Sequence, residues 1–133
     1  MTSKVTYEGK LRTRLTQLYS GTEIITDAPL DNQGLAQSFS PTDLTATSLG
    51  SCMMSIMGIK ARDMNLDLVG TEIEVTKVMG SEPRRISEIH AIVKFRPNNF
   101  SEKDKTILEN AARTCPVAKS LHPDIKQDMQ FVW

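Results

Sequence analysis

The chain has 133 residues, and its 16 Lys and Arg side chains balance 16 Asp and Glu side chains, so it carries no net charge. This length predicts a single domain over residues 1–133 with a core of its own. A hydrophobic share of 39% and a charged share of 24% are typical of a soluble globular domain. Balanced charge provides no general attraction to nucleic acid or to an anionic membrane, so we expect neither as a partner.

The sequence also bears on location. Residues 1–10 are largely polar and lack the basic region and apolar run of a secretory signal. The longest apolar segment, Leu49–Ala61, is interrupted by glycine, serine and lysine, which argues against a membrane span. We therefore expect a cytoplasmic protein, in which any bond between Cys52 and Cys115 would be a transient redox bond rather than a permanent disulfide.

The first forty residues are predicted to form short strands followed by a loop. Apolar or β-branched residues alternate with polar ones on both sides of Gly9, which predicts two short antiparallel strands or one bent strand: Val5, Tyr7, Leu11, Thr13 and Leu15. Arg12 and Arg14 would share the opposite, wetter face. Glu23–Thr26 is predicted as a further strand that ends at Asp27-Ala28-Pro29, followed by a polar loop to Phe39.

A long helix is predicted from Ser40 to about Arg62. Ser40 fits the N-cap, Pro41 fits the first helical position, and Asp43 can complete a capping box. Because apolar and small residues leave little room for a polar face, we expect burial on most sides. Glycines inside a helix cost about 1 kcal/mol relative to alanine, so another backbone or a ligand is expected to approach closely there.

The second half alternates between strand and helix patterns. Two alternating runs, from Ile73 to Val78 with a slip at Lys77-Val78 and from Ile89 to Phe95, predict a hairpin around a turn at residues 80–85. Ser101 caps a second helix, which Cys115-Pro116 interrupts before a short helical turn to Leu121. A last strand is predicted at Met129–Trp133. This order of elements predicts the α+β class.

The two cysteines leave more than one interpretation open. Free cysteine is among the most frequently buried residues, so Cys52 alone is more often a packing residue. Cys115 precedes a proline that can open a helix, and in such a cap position backbone N–H groups favour a thiolate. The two would form a redox couple if the fold brings them within disulfide distance.

Other chemistries have weaker support. Cys52, Cys115, His90 and His122 could supply four zinc ligands, but no closely spaced pair fixes two of them locally. No nucleophile elbow supports a hydrolase. His90 is most simply a residue of the solvent face of a strand, and His122 a residue of a turn.

A set of motifs resembles one known family. These are Ser40-Pro41-Thr42-Asp43-Leu44, Leu49-Gly50-Ser51-Cys52-Met53, Cys115-Pro116-Val117 and Ser120-Leu121-His122-Pro123. Together with the separation of the cysteines, they are similar to the OsmC/Ohr family of thiol-dependent peroxidases over nearly the whole chain. Thr26–Pro29 and Pro83–Ile86 make the chain most similar to the OsmC-like branch.

The resemblance implies a fold and a reaction. It implies an intertwined homodimer in which antiparallel sheets wrap around long central helices, with active sites at the interface. Cys52 would attack an organic hydroperoxide and become a sulfenic acid, and Cys115 would resolve it to a disulfide. An external thiol or dithiol would then reduce the disulfide. No metal, haem or flavin cofactor is implied.

The chain departs from the family pattern at one position. Members activate the cysteine with an arginine held by a glutamate at the start of the central helix, whereas this chain has Thr42 there, with Asp43 next to it. Arg12 or Arg14 would be the arginine. The departure keeps a second hypothesis open: a stress or binding protein without efficient peroxide chemistry, holding a small apolar ligand at a methionine-rich dimer interface.

Overall fold

The structure is a computed structural model that describes all residues from Met1 to Trp133. In chain order its elements are β1 (Ser3–Gly9), β2 (Arg12–Gln17), β3 (Glu23–Asp27), α1 (Pro41–Asp63), β4 (Glu72–Gly80), β5 (Arg85–Lys94), α2 (Glu102–Arg113), α3 (Pro116–Ser120) and β6 (Lys126–Val132). A 3-10 turn at Leu30–Asn32 interrupts the predicted loop before α1. The α+β class is confirmed.

The chain divides into two compact units, residues 1–45 and residues 46–133, and α1 begins in the first and continues into the second. The expectation of a single domain over residues 1–133 stays a prediction, because a compact unit need not fold on its own. None of the helices combines the length and the hydropathy that crossing a bilayer requires.

The first unit contains an antiparallel sheet in the order β1-β2-β3, so the alternating run forms two strands. Val5 pairs with Leu15 and Leu15 with Ile24, which places all three side chains on one face. Val5 and Ile24 are largely exposed there, with relative accessibilities of 61% and 47%. Arg12 and Arg14 lie on the opposite face, as predicted.

Helix α1 starts where the sequence predicts. Asp43 N–H donates to Ser40 Oγ at 3.0 Å, and Ser40 N–H donates to Asp43 Oδ2 at 2.9 Å, so the capping box is complete. The expectation of burial on most sides is wrong for the single chain, because the core covers one side of the helix and leaves Ser51, Ser55 and Ile59 exposed.

The second unit is built on a sheet in the order β4-β5-β6. β4 and β5 form the predicted hairpin. Their register shifts between Val78 and Met79, one residue after the predicted slip, because β5 contributes the extra residue Ser87. β6 begins at Lys126, before the predicted Met129, because it pairs in parallel with the central strand β5 over its whole length. Such a partner provides hydrogen bonds to polar residues that carry no apolar pattern.

The core lies between one face of this sheet and the helices. Leu49, Met53 and Met57 of α1 pack in one buried cluster with side chains of β5, α2 and β6, among them Ile89, Val93, Leu108 and Met129. A Cβ atom at Gly50 would lie 2.9 Å from Val75 Cγ2, so the close approach to the helix comes from a side chain of β4 rather than from the predicted backbone or ligand. Nothing lies within 4 Å of a Cβ atom at Gly58.

The connection from β5 to β6 contains α2 and α3. Ser101 and Asp104 cap α2 with the same reciprocal hydrogen bonds that start α1. Cys115 occupies the N-cap of α3 with φ −63° and ψ 153°, the extended conformation expected before Pro116. The helical break therefore fixes the position of the second thiol.

Candidate active site

Both cysteines belong to the second unit and both are free thiols. Cys52 lies halfway along α1, partly buried and packed against the core cluster that contains Cys115. Cys115 is completely inaccessible to solvent. The helix and the proline-induced break thus bring together the two residues that the sequence singled out.

The environment of Cys115 favours its neutral form. Burial raises the pKa of the Cys115 thiol, because the charged thiolate loses hydration in the core. The adjacent Cys52 thiol raises the pKa further, while the backbone N–H groups of Ala118 and Val117 at the start of α3 lower it in part. Cys52 packs against the buried cluster that contains Cys115, so both thiols lie in one region of the core.

The two thiols differ in access. A reagent in solution can reach Cys52, which is only partly buried, but it cannot reach Cys115 without opening the core. Oxidation follows exposure and thiolate character, so an oxidant that attacks this pair meets Cys52 first. Cys115 can then react only with a group presented from within the protein.

Arg12 lies on β2 in the first unit, where it is held by two side chains. Its Nη2 atom lies 3.9 Å from Oδ2 of Asp27 and donates to Oε1 of Gln37. Asp27 is only 2% exposed, and its Oδ2 atom also accepts from the backbone N–H of Gln37 at 3.0 Å. Arg12 is thus tied to the end of β3 and to the loop before α1.

Arg14 has different partners, two exposed carboxylates. Its guanidinium donates to Glu8 and, at 2.9 Å, to Glu23 Oε2. Hydrogen bonds to Glu8 and Glu23 raise the pKa of Arg14, and the bond from Arg14 lowers the pKa of Glu23. Its positive charge is therefore balanced on the surface of the sheet.

Asp43 and Thr42 lie in the first turn of α1. The Asp43 carboxylate accepts from Ser40 N–H as part of the capping box, so it has a structural function in this position. Thr42 Oγ1 lies 3.2 Å from Ser40 Oγ. Both residues therefore contribute to the start of the helix.

The histidines lie in separate surroundings. Nε2 of His90 lies 2.8 Å from Glu88 Oε2 and Nδ1 lies 3.2 Å from Asp128 Oδ2, on the face of the sheet opposite the core. Nδ1 of His122 accepts from Asp124 N–H within the predicted turn. No three His, Cys, Asp or Glu side chains lie in an arrangement that could hold a metal ion.

Two partners of Arg12, Asp27 and Gln37, were not predicted as site residues. The sequence places Asp27 at the end of a strand, where it reads as a turn residue, and Gln37 in a polar loop. A pairing between positions so far apart in the chain leaves no periodic pattern. The one available indication was the Thr26–Pro29 motif that contributes to the family resemblance.

Comparison with known proteins supports the same fold. The model of the family described as OsmC-like protein matches residues 33–130. Comparison with curated proteins gave no match. A crystal structure from Psychrobacter arcticus 273-4, whose name proposes an osmotic stress induced and detoxification response protein, is 58% identical. It covers 98% of this chain and 95% of its own, with a TM-score of 0.94.

Two more distant structures carry names that mention hydroperoxides. The organic hydroperoxide resistance protein OsmC of Legionella pneumophila is 13% identical, with a TM-score of 0.74 over 100% of this chain and 98% of its own. The organic hydroperoxide resistance protein OhrB of Bacillus subtilis is 18% identical, with a TM-score of 0.68 over 98% of both chains. At these identities the likeness shows the fold alone, and it confirms the predicted OsmC-like fold. The expectation of antiparallel sheets is wrong for the second sheet, because β6 pairs in parallel with β5. The intertwined homodimer stays a prediction.

Proposed function

Because this chain belongs to the family of OsmC-like proteins, we propose that it is a cysteine-based peroxidase that reduces organic hydroperoxides in defence against oxidative stress. The observation that carries the proposal is a pair of free thiols packed in one cluster, one partly exposed and one buried. In such a pair an oxidant converts the exposed thiol to a sulfenic acid, and the buried thiol condenses with it to a disulfide, without a metal or an organic cofactor. The hydroperoxide resistance proteins with the same fold support peroxide as the oxidant.

The first chemical step takes place at Cys52. Its thiolate attacks the terminal oxygen of the hydroperoxide, the O–O bond breaks, and the alkoxide leaves and takes up a proton to become an alcohol. Cys52 becomes a sulfenic acid, oxidised by two electrons. Its partial exposure within α1 supports this role, because the peroxide must reach the sulfur.

The second step takes place between the two sulfurs. The Cys115 sulfur attacks the sulfenic sulfur of Cys52, a disulfide forms, and water leaves with the thiol proton. A raised pKa keeps Cys115 as a thiol, which suits a group that must wait in the core for a neighbouring electrophile. An external thiol or dithiol then restores both thiols by disulfide exchange, and the cytoplasm is the compartment that supplies such reductants.

Arg12 is the stronger of the two candidates for the activating arginine. Arg14 is held by two exposed carboxylates, whereas Arg12 has one carboxylate partner, the buried Asp27, and one neutral partner, Gln37. In our proposal Arg12 stabilises the Cys52 thiolate, and Asp27 with Gln37 positions Arg12. This pair would take the place of the glutamate that Thr42 replaces, while Asp43 remains in the helix cap.

We further propose that the protein works as a homodimer. The exposed apolar face of the first sheet, which includes Val5 and Ile24, is costly for a monomer in water. The exposed serines of α1, Ser51 and Ser55, allow a second backbone to approach this helix. A partner chain that covers these surfaces would complete the burial that the sequence of α1 predicts.

A second function is favoured by one feature of the second unit. An open groove of about 240 Å³ runs between α1 and β4, lined by Thr47, Gly50, Ser51, Met54, Ile73 and Val75. Mainly apolar side chains make it suitable for a small apolar ligand. A stress or binding protein that keeps the thiols but lacks efficient peroxide chemistry would use this groove.

Steady-state turnover separates the two functions. We expect the protein to consume cumene hydroperoxide with dithiothreitol as reductant, and the Cys52→Ser variant to lose this activity while remaining folded. Turnover at the rate of the reductant alone, or full activity in Cys52→Ser, would reject the peroxidase. Binding of an apolar dye that Met54→Gln abolishes, in a protein inert to peroxide, would establish the alternative.

A further inference from the structure

A second cavity lies in the 46–133 unit, and neither cysteine lines it. It is a cleft of about 470 Å³ between the loop that follows α1, residues 67–71, and the loop between β5 and α2, residues 95–100. Its volume falls within the range of small-molecule sites. Because no residue of the proposed peroxidase mechanism contributes to it, the cleft has no function in that mechanism.

The cleft contains a cation without a carboxylate partner. The Arg96 side chain forms no ion pair, and the one hydrogen bond of its guanidinium is from Nη1 to the carbonyl oxygen of Val69, at 3.4 Å. Its side chain lies against Gly70, where φ is +84° and a Cβ atom would lie 2.5 Å from Arg96 Cδ. Glycine at position 70 therefore allows the arginine to lie along the loop, with most of its N–H donors unused.

An aromatic wall adjoins the cation. Phe95 and Phe100 line the cleft, and Phe95 stacks on Trp133 with ring centroids 3.6 Å apart and planes at 10°. Phe100 meets the same indole edge-on, at 6.2 Å. Trp133 is fixed in turn by a 2.9 Å hydrogen bond from Nε1 to Glu109 Oε1. The wall is thus an ordered apolar surface.

The remaining polar groups limit the charge of a ligand. Asp67 lines the cleft, and its Oδ1 atom accepts from Val69 N–H at 2.8 Å, so one negative charge lies near the one positive charge. Asn98 shapes its own loop through bonds with Arg96 and Phe100. The exposed amide of Asn99 makes no hydrogen bond within the protein. A cleft lined by one arginine and one carboxylate suits a monoanion better than a dianion.

From these contacts we propose that the cleft binds a small monocarboxylate that carries a flat apolar group. The carboxylate pairs with the Arg96 guanidinium, whose N–H donors match two oxygens side by side. The apolar group lies on Phe95 and Phe100, and the Asn99 amide donates at the rim. The proposal is independent of the thiol chemistry, so a protein with both cysteines replaced by serine should bind equally well.

The test uses benzoate as the probe and the indole N–H resonance of Trp133, the one tryptophan of the chain, as the reporter. We expect a saturable shift with a dissociation constant on the order of 1 mM, typical of a fragment of this size. Arg96→Gln should weaken binding by at least about tenfold, because a charge-assisted bidentate pair is lost. Arg62→Gln is the matched control, since Arg62 is 77% exposed and does not line the cleft.

Two further ligands define the ligand class. Benzamide, which has the ring without the charge, should bind at least about tenfold more weakly than benzoate. Phenyl phosphate should also bind more weakly, because Asp67 opposes a second negative charge. Three results would overturn the proposal: no saturable shift with benzoate, equal binding in Arg96→Gln, or phenyl phosphate or benzamide binding as tightly as benzoate. A retained far-ultraviolet circular dichroism spectrum confirms that each variant is folded.

Discussion

The Nη2 atom of Arg12 lies 3.9 Å from Oδ2 of Asp27, a buried carboxylate with a relative accessibility of 2%. Arg14, two residues along the same strand face, is held instead by the exposed Glu8 and Glu23. The sequence offers no way to choose between these arginines, since both follow the same alternation. The structure distinguishes them by the burial of their partners.

The first prediction concerns the arginines themselves. Arg12→Gln should slow the reaction of reduced protein with cumene hydroperoxide by at least about tenfold, or about 1.4 kcal/mol of activation free energy, because the thiolate loses its cation. Arg14→Gln is the matched control and should change the rate by less than about twofold, because its charge is already balanced. Stopped-flow mixing gives both rate constants. Equal effects of the two substitutions would contradict the assignment of Arg12.

The second prediction concerns the residue that holds Arg12. Asp27→Asn keeps an acceptor for the Gln37 N–H but removes the charge, so we expect the rate with hydroperoxide to fall while the fold is retained. Glu23→Gln, which removes a partner of Arg14, should leave the rate unchanged. If Asp27 were purely structural, Asp27→Asn would lower the unfolding temperature but leave the rate constant of the folded protein as it is.

The third prediction follows from the raised pKa of Cys115. Between the ordinary thiol pKa and the higher pKa in the folded state, the folded protein binds more protons than the unfolded chain. The contribution to stability is therefore complete below the ordinary thiol pKa and is lost as pH rises through the folded one. Urea unfolding from about pH 8 to pH 10 should show a steeper decline for wild type than for Cys115→Ala. Parallel declines would contradict the burial of a neutral thiol.

The fourth prediction compares two glycines of α1. Gly58→Ala should stabilise the protein by up to about 1 kcal/mol, because alanine is the better helix former and nothing lies within 4 Å of the new methyl group. Gly50→Ala gains the same propensity but places its methyl group 2.9 Å from Val75 Cγ2, so it should be the less stable variant. Chemical denaturation of both variants measures the difference. The reverse order would show that the helix does not approach β4 so closely.

Much of the fold was predictable because its signals are local. Ser40 and Asp43 start α1, Ser101 and Asp104 start α2, and each pair forms its capping box within four residues. The β4-β5 hairpin appears in the sequence as two alternating runs on either side of the turn at residues 80–85. In these places the residues that determine the structure are neighbours in the chain.

The parts that were missed depend on distant residues. β6 begins at Lys126 because β5 pairs with it, and nothing in the polar residues Lys126–Asp128 predicts a strand. The exposed side of α1 depends on which residues face the core, and its apolar and small residues do not show which side that is. Asp27 and Gln37 likewise become partners of Arg12 only through the folded chain.

The candidate site also contains residues that the sequence predicts and features that only the structure shows. Cys52 and Cys115 were identified from motifs around each cysteine, and the structure adds that they pack in one cluster with unequal access to solvent. His90 lies on the face of the sheet opposite the core, as predicted, and the structure adds its contacts with Glu88 and Asp128. The sequence did not predict Arg96 as a binding residue, because only the folded structure shows that its side chain has no carboxylate partner.

The roles of the two cysteines can be tested by the mass of the intact protein after one equivalent of cumene hydroperoxide. Wild type should lose two hydrogens as the disulfide forms, Cys115→Ser should gain one oxygen that dimedone traps, and Cys52→Ser should stay unchanged. Wild-type protein that keeps both thiols and its original mass would contradict the peroxidase. An oxygen gained by Cys52→Ser at Cys115 would contradict the assignment of Cys52 as the nucleophile.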